Sequence, residues 1–420
     1  MSFVTETYSP TGRQTGRATL STSAIGNFML GLVVFLVGFV FFEPAPYELL
    51  IVPMLVVWFA FGLTIKRGFL PLTLMMLCFV CGGMIAATQK ADVGGSFFYI
   101  VVTTFLATTS IFYAALIAEK PGERLRIVFN AYISAAVIGA LIGILAYFHV
   151  LPNSETFLFA GRAAGPFEDP NVFGPFLALP ILFLLRQILV QPLNRNLLNL
   201  LGLMILLAAV FLAFSRAAWG LTVFGIIMMI AMVFISSKSS RLRTKITIMS
   251  VFMIIILAGM LVFALSFEAV STLFSERARL VQSYDGARFG RFARYSYGIE
   301  WIMERPLGYG FGKSRETFGE DTHNVYIKAF LVNGWLGGIA YLSLVGTTIY
   351  AGLKNILKER PWQGYLQACV IVIIGHAIIG LVVDTDRWRH LYLVYGLTWG
   401  MIAAERIWQY RQNQLRRQAS

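Results

Sequence analysis

The sequence predicts an all-α fold, a polytopic helical membrane protein of about twelve transmembrane helices with one large loop on the non-cytoplasmic side. Three observations predict it. First, 57% of the 420 residues are hydrophobic and only 13% charged. A soluble domain carries about 25% charged residues, because its surface must be wetted. Second, apolar runs of roughly 17–25 residues recur along the whole chain, each long enough to cross the hydrocarbon as a helix. The runs are continuously apolar, not alternating, which selects helices over a barrel. Third, the basic residues alternate in density from one inter-run segment to the next.

The runs fall at about 25–42, 48–65, 70–88, 97–118, 127–148, 173–190, 197–214, 217–235, 245–266, 325–352, 364–383 and 390–404. Segments on one side hold twenty Lys and Arg, among them Lys66, Arg67, Lys120, Arg124, Arg126, Arg241, Arg243 and Arg360. The short segments opposite hold only Lys90, Arg162, Arg216, Arg387 and Arg389. The positive-inside bias therefore puts both termini in the cytoplasm. It also accounts for most of the net charge of +13, so the charge does not point to nucleic acid. The chain divides into an N-terminal tail (1–24), nine spans (25–266), an outer loop (267–324), three spans (325–404) and a C-terminal tail (405–420).

Cys78, Cys81 and Cys369 all lie inside apolar runs, where a Cys-x-x-Cys pair without partners reads as two small buried side chains. No small-residue cleavage site follows the first run. No inverted repeat of the transporter kind is visible.

Two outer segments are too long to be mere connectors. One, 149–172, contains Gly161-Arg162 and Asp169-Pro170-Asn171. The other, 267–324, is rich in aromatics. In its middle, Phe289, Phe292, Tyr295, Ile299 and Ile302 recur at helical spacing, predicting an amphipathic helix over 288–304 on the membrane surface or over a cavity. Pro306 ends that helix, and Gly308, Gly310 and Gly312 read as a flexible turn. That turn is no phosphate loop, since it lacks the preceding strand and the following Lys-Ser/Thr.

His323-Asn324 stands where the long loop enters the tenth span. A histidine is well suited to take a proton near neutral pH; the plainer alternative is an interfacial residue at a helix cap. Gly334 and Gly337 lie one turn apart and thin one helix face for a close neighbour. Arg277, Arg279, Arg288, Arg291 and Arg294 gather on the outer loop with only Asp285 among them. A guanidinium fork suits phosphate or diphosphate oxygens, although taken one at a time these arginines equally hold headgroups or nearby acids. Arg216 follows Ser215 in a tight turn with no acid near it in sequence, which favours a functional role. Asp169 before Pro170 reads as a helix cap. Asp384, Asp386, Arg387, Arg389 and His390 read as a surface ion-pair cluster. The mid-span His376 reads as bonding to an adjacent helix.

Several stretches together resemble the O-antigen ligase family and the related membrane polysaccharide polymerases. They are His323-Asn324 followed nine residues later by Gly334-x-x-Gly337, Ser215-Arg216 opening a span, the Gly161-Arg162 to Asp169-Pro170-Asn171 loop, and Arg288 through Arg305-Pro306-Leu307-Gly308-Tyr309-Gly310. The resemblance implies transfer of a glycan from undecaprenyl diphosphate to an acceptor sugar in the periplasm of a bacterial inner-membrane protein, with no cofactor, metal or nucleotide sugar. It implies His323 as the group activating the acceptor hydroxyl and Arg216 and Arg288 as holding the diphosphate, with Arg162 and Arg291 as further candidates. Asn324, Asp169, Asn171, Gly334 and Gly337 would support them. Lipid A–core as acceptor makes a ligase; a second lipid-linked unit makes a polymerase, as in exopolysaccharide synthesis. Two other classes remain open on the residues alone: a transporter or flippase of lipid-linked glycan, for which His376 and Lys328 are the only deep ionisable groups, and a non-catalytic assembly protein.

Overall fold

A computed structural model describes residues 22–60, 62, 64–90, 94–192, 196–277 and 290–419. Its helices are α1 Thr22–Leu36, α2 Pro46–Ala60, α3 Leu70–Ala87, α4 Gly94–Glu119, α5 Pro121–Tyr147, α6 Pro170–Phe176, α7 Ala178–Val190 and α8 Leu197–Leu212. There follow α9 Arg216–Ser236, α10 Ser240–Leu265, α11 Glu268–Arg277, α12 Arg291–Glu304, α13 Lys313–Phe318, α14 Val325–Asn355, α15 Gln363–Ile379 and α16 Arg389–Ala419. A two-residue antiparallel pair, β1 Leu158–Phe159 and β2 Arg162–Ala163, closes a hairpin between α5 and α6.

Among the described residues seven helices are long and apolar enough to cross a membrane: Arg67–Ala87, Gly94–Glu119, Pro121–Tyr147, Pro170–Val190, Arg216–Ser236, Ser240–Phe263 and Val325–Asn355. Four more are apolar but shorter: Ser23–Leu36, Pro46–Ala60, Leu197–Leu212 and Gln363–Ile379. Ile254, Ile255, Val262 and Phe263 of α10 are all more than half exposed. An apolar surface of that extent is stable only against lipid or another protein.

The interior is built on two close helix pairs, α3 along α14 and α4 along α16. Small residues make both possible. A Cβ at Gly82 would lie 2.5 Å from the Asn333 carbonyl oxygen and 2.6 Å from the Gly337 nitrogen. A Cβ at Gly396 would lie 2.5 Å from the Ser110 carbonyl oxygen. Trp399 is buried between the pairs and donates from Nε1 to Thr348 Oγ1 at 2.8 Å.

Several elements differ from the sequence expectation. The sixth apolar run begins earlier, at Pro170, and is divided into α6 and α7, with Pro175 and Pro180 each withholding a helix N–H. The last helix does not stop near 404 but runs on to Ala419. The amphipathic helix of the long loop begins at Arg291; Arg288 and Phe289 lie outside the described residues. Gly334 breaks α14 (φ 64°, ψ −174°) instead of thinning it. The 305–308 turn packs into the break, with Trp335 N donating to Pro306 O at 2.8 Å. A Cβ at Gly334 would lie 2.7 Å from the Leu307 carbonyl oxygen. The glycines 308, 310 and 312 form a defined left-handed turn, φ 88°, 70° and 105°, and not a loose connector. Gly337 does what its spacing implied, lying against Gly82 of α3.

The segments sparse in basic residues meet at one end of the bundle. There Lys90 pairs with Glu316 at 2.8 Å, Arg389 with Glu43 at 3.0 Å, and Val40 N donates to Pro166 O at 2.8 Å. The basic segments meet at the other end, where Arg124 pairs with Glu119 at 2.6 Å and Arg360 with Glu405 at 2.7 Å.

Candidate functional site

His323 sits in a left-handed backbone conformation, φ 53°, one residue before the cap of α14. Such a φ is uncommon for a residue with a side chain and persists only where neighbours fix it. Five contacts fix it here. Asn324 Oδ1 accepts from Tyr326 N (3.0 Å) and Ile327 N (3.1 Å), while Asn324 Nδ2 donates to Leu381 O at 3.1 Å. The Tyr295 hydroxyl of α12 lies 3.2 Å from His323 O and 2.8 Å from Leu381 O. The imidazole is turned outward, 39% exposed, with Nε2 3.5 Å from Glu320 Oε2. Arg294, buried in α12, donates from Nη1 to that oxygen at 2.8 Å and to Asp321 O at 3.0 Å. The Arg294 hydrogen bond holds the Glu320 carboxyl below its ordinary range against a smaller opposing effect of burial.

Behind this loop lies a network that sequence reasoning missed. Lys328, one turn into α14 and buried, places Nζ 3.0 Å from Asp386 Oδ1, 3.5 Å from Asp321 Oδ2 and 3.9 Å from Asp384 Oδ2. Tyr99 of α4 donates to Asp386 Oδ2 at 2.8 Å, and Arg315 of α13 donates to Asp321 Oδ2 at 2.9 Å. Arg387 lies over the ring of Phe311, 5.2 Å from its centre. Burial pushes Asp386 up, but Lys328 and then Arg387 outweigh it, and its carboxyl is held below the ordinary range. At Asp384 burial wins over the more distant ammonium, and the carboxyl is raised. The acids of the 384–390 turn are therefore not a surface cluster; Asp386 is 3% exposed. The wrong expectation has a simple cause, since Lys328 and Asp386 are 58 residues apart in sequence. His376, expected to bond a neighbouring helix, instead sets Nδ1 2.8 Å from Val372 O in its own helix.

A second group forms around Arg162. Its buried guanidinium donates from Nε to Ala213 O at 2.9 Å and from Nη2 to Asn171 Oδ1 at 3.0 Å. Asn171 N in turn donates to Asp169 Oδ1 at 2.8 Å, so Asp169 caps α6 as its position before Pro170 predicts. Ala213 precedes the turn Phe214–Ser215, where Phe214 has φ 44°. Ser215 Oγ accepts from Ala218 N at 3.4 Å and caps α9, whose first residue is Arg216. Arg162, Asp169, Asn171 and the Ser215–Arg216 turn are thus one hydrogen-bonded assembly. A helix N-terminus carrying a guanidinium is a favourable place for an anion. Arg288 lies outside the described residues, as does the side chain of Arg291.

Both groups reach one cavity of about 760 Å³. Asp169 lines it from the first assembly and Asp384 from the second, with Trp388, Arg387, Phe98 and Phe105 among the other walls. His323, Arg162 and Arg216 do not line it. A second, almost wholly apolar cavity of about 440 Å³ opens along α9, lined by Phe148, Phe211, Leu212, Trp219, Val223 and Phe267.

No curated protein matches the chain. Residues 201–342 match the model of the family described as O-antigen ligase, a segment that contains Arg216, Arg288, Arg291, His323, Asn324, Gly334 and Gly337 but neither Arg162 nor Asp169 and Asn171. Over residues 201–342, about a third of its length, the chain is thus similar to the O-antigen ligase family.

Proposed function

We propose that this membrane protein is a glycosyltransferase that moves a glycan from an undecaprenyl-diphosphate donor to an acceptor sugar on the periplasmic face, with the twelve apolar runs of the sequence crossing the bilayer and both termini in the cytoplasm. The observation that carries the reading is the presentation of His323. Its ring stands outward from a backbone held by Asn324 and Tyr295, at the end of the bundle where the basic-poor segments converge. An imidazole so held can accept the acceptor hydroxyl's proton as that oxygen attacks the anomeric carbon. The sugar–phosphate bond breaks in the same step and leaves its charge on the lipid diphosphate. Fixed cations stabilise charge that develops there, and Arg216 at the head of α9 is the foremost of them. Arg288 and Arg291 remain further donors on sequence grounds. Arg162, with Nε and Nη2 engaged internally, supports the Arg216 turn and so acts behind the diphosphate site. The apolar cavity along α9 suits the polyprenyl tail. Attack opposite the leaving group inverts the anomeric centre.

Ligase action on lipid A–core is the first form of this reading and polymerisation of lipid-linked units the second. A transporter would need free ionisable groups deep in the spans. Lys328 is instead held by three carboxylates, and His376 faces Trp388 and His390 at 5.7 and 5.5 Å between ring centres. The test is transfer by the purified protein in lipid nanodiscs, given a lipid-linked diphosphate glycan and each acceptor in turn. His323→Ala should reduce transfer at least ~100-fold, and full transfer by that variant rejects the reading.

A further inference from the structure

We infer that Lys328 is a positioning residue for His323: its buried ammonium gathers carboxylates of the His323 loop and of the turn after α15, fixing the loop that carries the ring and cancelling charge that would otherwise favour a proton on it. The inference rests on the reading of His323 as the base.

The geometry assigns Lys328 this place. Its three carboxylates come from two segments, Asp321 from the His323 loop and Asp384 and Asp386 from the turn between α15 and α16. These are the same two segments that Asn324 Nδ2 and Tyr295 join through Leu381 O. One ammonium therefore clamps the loop to the turn, as the amide and the phenol also do. Asp321 stands two residues before His323.

The charges at and behind the His323 loop come from every element packed there. Glu320 and Asp321 lie on its own loop, Arg294 and the Tyr295 hydroxyl on α12, Arg315 on α13, Lys328 on α14, and Asp384, Asp386 and Arg387 on the turn after α15. Two sets of carboxylates thus have dedicated cations: Arg294 answers Glu320, and Lys328 with Arg315 and Arg387 answers the three aspartates. Removing Lys328 takes one of three cations from the cluster and leaves its surroundings more negative. Buried charge is screened weakly, so an imidazole at the edge of the cluster would feel the imbalance.

Such a role can be separated from packing. Lys328→Met should lower transfer roughly three-fold near pH 6.5 and distinctly less near pH 8.5, because the loss follows the ring's protonation. Lys328→Arg, which keeps the charge, should restore both values. A readout free of transfer is the rate at which diethyl pyrocarbonate modifies His323, followed by mass spectrometry, since only the neutral ring reacts. Its midpoint should rise by about half a pH unit or more in Lys328→Met. Asp384→Asn keeps the ammonium and removes one anion, so it should move the midpoint the other way. That variant also serves where Lys328→Met does not fold. An unmoved His323 midpoint, in Lys328→Met or in Asp384→Asn in its place, with a loss of transfer equal at every pH, overturns the inference. Full transfer by His323→Ala would instead overturn the reading of the base, while the modification midpoints would still decide the role of Lys328.

Discussion

Glu320 Oε2 lies 3.5 Å from His323 Nε2 and accepts a 2.8 Å hydrogen bond from buried Arg294, so the carboxylate nearest the imidazole is already engaged by a cation. This relationship ties α12 to the loop that carries the proposed base. It also gives the amphipathic helix a task beyond resting on a surface.

A pH dependence of stability follows. The Glu320 carboxyl is held below its ordinary range in the folded protein. A group with a depressed folded value stabilises above its unfolded value, about 4.3 for Glu, and that contribution is lost as pH falls through the lower folded value. The melting temperature of Glu320→Gln should therefore change less than that of the wild type between about pH 5 and pH 3. Equal slopes in differential scanning fluorimetry would reject the pairing.

Arg162 makes a second prediction. Arg162→Ala leaves Ala213 O and Asn171 Oδ1 without their donor in a buried site. The cost should be about 2–4 kcal/mol, because each lost bond involved a charged donor. The Ser215–Arg216 turn should loosen with it, so donor binding should weaken as well. Unchanged thermal stability in detergent would show that these bonds are dispensable.

The helix break supplies a third. Gly334 has φ 64° and ψ −174°, a region essentially restricted to glycine, and Leu307 leaves no room for a Cβ. Gly334→Ala should destabilise by about 2–4 kcal/mol. Gly346, on the same helix with no atom within 4 Å of an added Cβ, should tolerate alanine within about 1 kcal/mol. Comparable melting temperatures for the two variants would contradict the observed break.

What the sequence reveals here depends on range. The helix heads at Asp169-Pro170, Ser215-Arg216 and His323-Asn324 are legible because cap and helix are neighbours. Gly337 is legible as a close-packing position, because one-turn spacing puts it on the face that meets α3. The role of Gly334 is not, since its conformation is imposed by Pro306 and Leu307 on another segment. Nor is the Lys328 cluster, whose acids read as surface charges until Tyr99 and Lys328 are brought over them by folding. Arg294 shows the same limit: the family of outer-loop arginines looked alike in sequence, and only the fold shows this one answering Glu320.

The stereochemistry of the product offers a fourth prediction. Direct displacement from the diphosphate gives the opposite anomeric configuration to that of the donor, readable from the one-bond coupling at the new linkage by NMR. A retained configuration would require a covalent intermediate and would exclude the single-step role given to His323.

The most direct measurement of the central claim is to follow transfer and donor binding together in His323→Ala and Arg216→Ala, each confirmed as folded in nanodiscs. His323→Ala should lose transfer at least ~100-fold while still binding lipid-linked donor. Arg216→Ala should lose both, with donor affinity down roughly ten-fold or more. Wild-type transfer by either variant would contradict the account.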